Sequence, residues 1–230
     1  MLPIKTYFSG VIYIGIVVLL LVGCAQDQGM RATNIQWTGD SNANKIAIIP
    51  FQGIVPSDPS ITHVRCPLSG AVLETCDGAV NSEKIIEKVF SAKLKAHRRS
   101  VVIPQERVRG IYKRVSSESF KDSPEDILKK VGVELGADWV VAGYVFCYQD
   151  RKGFSYSVRQ PASVTFCAHL LRVEDGELVW RAIFDKTQTS LMENLLDLSS
   201  FLKGGGGWLT AEELTEQGVD KMLKTFPGLQ

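Results

Sequence analysis

The 230-residue sequence carries almost no surplus of charge: 26 lysines and arginines face 25 aspartates and glutamates, a formal net charge of +1. A general nucleic-acid binder needs a basic footprint, and this chain has none to offer. Histidine is scarce, with His63, His97 and His169 scattered along the chain. There is no Gly-x-Ser-x-Gly elbow and no His-Glu-x-x-His pair, and the glycine run 204–207 is followed by Trp208 instead of Lys-Ser/Thr. Elbow hydrolases, zinc peptidases and phosphate-loop nucleotide binders are thereby disfavoured. A long spanning run is missing too. The apolar stretch from Tyr7 to Val22, broken by Ser9, Gly10 and Gly15, is shorter than the roughly 20 residues a spanning helix needs.

What that stretch does have is the layout of an export signal: Lys5 ahead of a short apolar run, then small residues. It ends in Leu21-Val22-Gly23-Cys24, which resembles the lipobox of bacterial lipoproteins. The resemblance implies removal of residues 1–23 and acylation of Cys24 as the new N-terminus. Loss of Lys5 would leave 25 basic against 25 acidic residues. Ala25, where Asp would signal retention, implies sorting to the outer membrane. More than one acyl chain gives stable anchoring that a single chain does not. Residues 24–44 are rich in Gln, Asn, Asp and Gly and read as a flexible tether. Ile35 and Trp37 are its sizeable apolar groups. The folded periplasmic domain is expected over 45–230.

That domain is organised around Lys45-Ile-Ala-Ile-Ile-Pro-Phe51. Ile46 and Ile48 point to one side, Ala47 and Ile49 to the other, as in a strand covered by helices on both faces. The segment 52–80 is long and irregular, a kind of loop that is often functional. It holds Cys66 and Cys76, for which an oxidising compartment predicts a mutual disulfide. A zinc set of His63, Cys66, Cys76 and Asp77 has no supporting ligand spacing. Helices follow from Asn81 or Ser82 to about His97, from Gln105 to about Val115, and from Ser123-Pro124 to Gly136, with a short strand at Ser100–Pro104 between the first two. Strands are expected at 138–148, 162–173 and 177–185. Asp175-Gly176, taken as a two-residue turn, sets Leu171 against Trp180, His169 against Ala182 and Cys167 against Phe184. His169 then reads as a satisfied buried histidine, and Cys147 and Cys167, on neighbouring strands, as two inert buried thiols, the alternative being a cross-strand bond that needs a narrow geometry. Beyond the hairpin, Leu191, Leu195, Leu198 and Leu202 form an apolar stripe ahead of the glycine run and Trp208. The stripe and Trp208 are candidates for partner binding, the alternative being one more core helix. Leu209-Thr210-Ala-Glu-Glu213 has the form of a capping box with a hydrophobic staple, opening a final helix.

The first strand, the Leu135-Gly-Ala-Asp-Trp-Val-Val-Ala-Gly143 entry and the Val173-Glu-Asp-Gly-Glu-Leu-Val-Trp180 hairpin together resemble a periplasmic α/β domain. That domain is shared by the amino-terminal part of the Tol-system propeller protein, the curli-secretion lipoprotein and the lipoprotein activators of penicillin-binding proteins. The strand and helix order leads to the same fold: a single mixed α/β domain with a five-stranded mixed sheet, order 2-1-3-4-5, and helices on both faces. The reading is a non-enzymatic outer-membrane lipoprotein facing the periplasm, an adaptor, assembly or regulatory factor for an envelope complex. Its partner would be an unidentified envelope protein, with homo-oligomerisation open. It needs no metal or cofactor beyond the lipid on Cys24. The alternatives are a subunit of a curli-exporter-like pore, for which Phe154, Tyr156 and Val158 supply an alternating run, and a cell-wall-acting enzyme.

Overall fold

The structure is a computed structural model that describes residues 29–34, 44–58, 60–76, 81–96, 100–155, 157–188 and 207–229. The export signal, Cys24, Ile35, Trp37 and the four leucines of the stripe lie outside the described residues. The elements in chain order are β1 (Met30–Asn34), β2 (Asn44–Ile48), β3 (Gln52–Gly53), β4 (His63–Arg65), β5 (Val72–Glu74), α1 (Glu83–Ala96) and β6 (Ser100–Val102). There follow α2 (Gln105–Glu118), α3 (Pro124–Leu135), β7 (Trp139–Gln149), β8 (Lys152–Phe154), β9 (Ser157–Gln160), β10 (Ser163–Arg172), β11 (Leu178–Thr187) and α4 (Ala211–Lys224). No helix among the described residues is long and apolar enough to cross a membrane.

The main sheet is mixed, ordered β1-β11-β10-β7-β2-β6, with β3 also paired to β7. The pairings β2–β6, β2–β7 and β3–β7 are parallel, and β7–β10, β10–β11 and β1–β11 are antiparallel. The five expected strands keep their relative order, but the count of five is corrected to seven. Met30–Asn34, expected within the tether, is an edge strand paired along β11. Its residues are mostly polar and exposed, as an edge strand allows, so no apolar alternation marks it in the sequence.

Two cores flank the sheet. On one face Ile46, Ile48 and Phe51 pack with Ile86, Phe90 and Leu94 of α1 and with Leu214, Val219 and Met222 of α4. On the other, Ala47 and Ile49 pack with Val108 and Val115 of α2 and Leu128, Val131 and Leu135 of α3. The helix ends follow local rules. The Ser123 side chain accepts from Asp126 N, Gly136 closes α3 in the left-handed conformation, and Thr210 with Glu213 forms the capping box of α4.

The β10–β11 register departs from expectation. Leu170 faces Trp180, His169 faces Arg181, Cys167 faces Ile183 and Phe166 faces Phe184. The turn is longer than two residues: Arg172 N donates to Glu177 O, and Gly176 N donates to Arg172 O. With residues 173–176 in the loop the strands slide by one position, and a shift between Leu170 and Leu171 absorbs the remainder.

Candidate functional site

Pro50 has no N–H, so β2 cannot run on in regular pairing. The next donor, Phe51 N, is taken by Glu87 Oε2 at 3.1 Å. Glu87 is buried on α1, and its other oxygen accepts from Arg109 of α2 at 2.8 Å. The carboxylate therefore ties the strand break to a helix on each side of the sheet. The Phe51 ring lies across β7 where Gly143 has no side chain; a Cβ there would sit 2.3 Å from the ring. Beyond β3 the chain turns back as a strap over the α2–α3 face.

The strap contains the hairpin β4–β5. Cys66 N donates to Ala71 O, Gly70 N donates to Cys66 O, and Gly70 takes the left-handed conformation. Leu68 and Leu73 are buried in the core beneath. This register separates the two loop cysteines. Arg65 faces Val72 and His63 faces Glu74, which leaves Cys76 five strand positions from Cys66's opposite residue. That is on the order of 16 Å, beyond any disulfide. The expected Cys66–Cys76 bond is replaced by Cys76–Cys147. Cys76 N donates to Phe146 O, so the end of the strap lies along β7 and meets Cys147 there. Cys147 is thus not an inert thiol, and the bond fastens the strap to the central strand.

Cys66 points into the sheet instead. Cys167 and His169 are two residues apart on β10 and so share a face. Cys66 Sγ lies 3.3 Å from Cys167 Sγ and 3.6 Å from His169 Nε2. Cys66 is 2% exposed, and Cys167 and His169 are fully buried. The Tyr144 ring meets the imidazole edge-on at 6.2 Å. A hydrogen bond from Cys167, joined by His169, holds the Cys66 thiol well below its ordinary range. Burial pushes Cys167 well above it. His169 Nδ1 is buried without a hydrogen-bond partner, so the histidine is not the satisfied residue the hairpin pattern suggests. Nothing in the spacing of residues 66, 167 and 169 marks them as a set; the i, i+2 pair on β10 is the one local signal.

The other expected site residues fall apart from this cluster. His63 is exposed and bonds Thr62 Oγ1. With Cys76 in a disulfide, the set built on His63, Cys66 and Cys76 is not assembled. The backbone of Trp208 is fixed by donation from its N–H to Ser155 O. Gln188 closes the same corner: its Nε2 donates to Gly207 O and its Oε1 accepts from Leu209 N. β8 and β9 are three and four residues long, short of the 9–11 a spanning strand needs. A surface hollow of about 440 Å³ on α3, lined by Asp122, Asp126, Lys129, Lys130, Val133 and Glu134, is bordered by the exposed Lys130–Asp122 ion pair.

No family model and no curated protein matches the chain. Among solved structures, it is similar to a PelC dodecamer from Paraburkholderia phytofirmans, with 14% identity, 87% of this chain and 96% of that one covered, and a TM-score of 0.48. It is similar to the LpoB C-terminal domain from Escherichia coli at 10% identity, with 66% and 88% covered and a TM-score of 0.41. Lipoprotein GNA1162 from Neisseria meningitidis shows 14% identity, 70% and 96% coverage and a TM-score of 0.38. Neither the Tol-system propeller protein nor the curli-secretion lipoprotein is among these three. Likenesses this distant say nothing of what the chain binds.

Proposed function

We propose that this chain is an outer-membrane lipoprotein that holds its α/β domain in the periplasm as an adaptor or assembly factor for an envelope complex. The observation that carries the reading is the lipobox at Leu21–Cys24, placed six positions ahead of the first residue of the sheet, Met30. Six extended residues span at most about 20 Å, so the domain works close to the bilayer and not at the end of a long tether. The partner contact is assigned to Leu191, Leu195, Leu198 and Leu202 with Trp208. Two features support that assignment. Both sheet faces already carry helices, and Gln188 bonds Gly207 and Leu209, so the residues that flank segment 189–206 meet at one corner.

The test is fractionation of cells producing the full chain, with mass measurement of its N-terminus. The expected result is a diacylated, N-terminal Cys24 in the outer-membrane fraction, and an uncleaved precursor for Cys24→Ala. An unmodified Cys24 in the wild-type protein, or a wild-type protein released as soluble, would overturn the reading.

A further inference from the structure

The buried sulfurs and imidazole invite a ligand of their own. We propose that Cys66, Cys167 and His169 form a structural zinc(II) site that fastens the strap to the sheet. The three donor atoms lie within 4.8 Å of one another. Zinc bonds of about 2.3 Å to sulfur and about 2.05 Å to nitrogen, at tetrahedral angles, place sulfurs about 3.8 Å apart and sulfur and nitrogen about 3.5 Å apart. The Cys66 Sγ–His169 Nε2 separation of 3.6 Å fits as it stands, and Cys167 Sγ lies within 4.8 Å of the same nitrogen. The sulfurs, at 3.3 Å, need to part by about 0.5 Å to reach the tetrahedral value.

Charge selects the ion. Zinc(II) displaces one proton from each thiol. With neutral His169 the result is an uncharged unit, which a fully buried position tolerates. Copper(I), also thiophilic, would leave a buried negative charge on the same ligands, and an isolated buried charge is heavily disfavoured. The Ser69 hydroxyl, in the same turn, is buried without a hydrogen-bond partner. A set of three protein donors leaves one position of the tetrahedron for an oxygen ligand.

The rival in an oxidising compartment is a Cys66–Cys167 disulfide. That bond would withdraw Cys66 from His169 and leave an imidazole at zero exposure with neither nitrogen engaged, since Nδ1 already lacks a partner. A metal ion engages Nε2 and keeps both sulfurs reduced. The site would also be a second fastening of the strap, on β10, beside the Cys76–Cys147 bond on β7.

The experiment uses the full chain purified in detergent without reductant or chelator. Elemental analysis should find about one zinc per chain. Cobalt(II) exchanged for zinc should show a thiolate charge-transfer band and tetrahedral visible bands. Thiol titration in denaturant with chelator should count Cys66 and Cys167 free while Cys76 stays linked to Cys147. Cys66→Ser should weaken zinc binding by more than the roughly 10–100-fold that loss of an outer-shell partner costs. Where Cys167→Ser fails to fold, the wild-type cobalt spectrum decides alone. A Cys66–Cys167 linked peptide from the isolated protein overturns the proposal, and so do free thiols that give no cobalt–thiolate band.

Discussion

Cys76 is bonded to a residue 71 positions away, and that separation sets what the bond is worth. Removing a native disulfide typically costs about 2–5 kcal/mol, so Cys76→Ser should lower the denaturation midpoint accordingly; an unchanged midpoint would show that the strap stays in place without it. Glu87 is the residue that makes the break at Pro50 tolerable. Glu87→Ala strands the Phe51 N–H beneath α1 and should cost about 1–3 kcal/mol, read by urea unfolding. Gly143→Ala drives a methyl into the Phe51 ring, and overpacking of this kind costs about 1–3 kcal/mol. Asp175 illustrates the opposite extreme. The Arg172 hydrogen bond lowers its carboxyl to about 2, so its contribution is present above the ordinary carboxylate range near pH 4 and fades as pH falls through about 2. The pair is partly exposed, so Asp175→Asn should cost less than about 1 kcal/mol at neutral pH. Thermal unfolding should show no difference between the two proteins at the acid end.

Among elements, the leucine stripe and α4 make the useful contrast. α4 fills one core with Leu214, Val219, Met222 and Leu223, and Gly218 lets it close on Phe184. Its apolar face is spoken for by the sheet. The stripe 191–202 lies outside the described residues, and the two readings of it separate on mutation. Replacing Leu195 and Leu198 together with Ser should leave the melting temperature nearly unchanged if they meet a partner, while cross-links to envelope proteins are lost. If they belong to the core, truncations of this size cost about 2–5 kcal/mol each, and a melting temperature lowered to match would end the docking assignment.

For the whole molecule, β1 changes where the domain stands. With the proposed lipid on Cys24, a strand at the β11 edge six positions later would hold that edge within about 20 Å of the membrane. The opposite edge, β6, lies five strand spacings away across the sheet, about 24 Å. A fluorophore at Arg31, on the exposed part of β1, should therefore transfer energy to a membrane-surface acceptor more efficiently than one at Val101 on β6. Equal transfer from both would mean that β1 does not hold the domain by that edge.

Local chemistry was legible in the sequence because it needs only neighbours. The Ser123-Pro124 start and Gly136 stop of α3 and the capping box at Thr210 each span a handful of residues. The two-sided apolar pattern of Ile46–Ile49 identified a central strand for the same reason, since side chains alternate along any strand. Periodicity and connection length then limited the five strands to one relative order. Tertiary structure decided whatever depends on distant segments meeting. A polar edge strand at Met30–Asn34 forms because β11 offers it a ladder, and its own residues announce nothing. The slipped β10–β11 register comes from a turn closed by Arg172 and Glu177, where Asp175-Gly176 alone suggested a shorter one. Cys76 finds Cys147, and Cys66 finds Cys167 and His169, across 71, 101 and 103 positions. Proximity along the chain argued for Cys66–Cys76, but the β4–β5 ladder holds those two rigidly apart. The packing of the strap on the sheet, which no short pattern encodes, chose their partners.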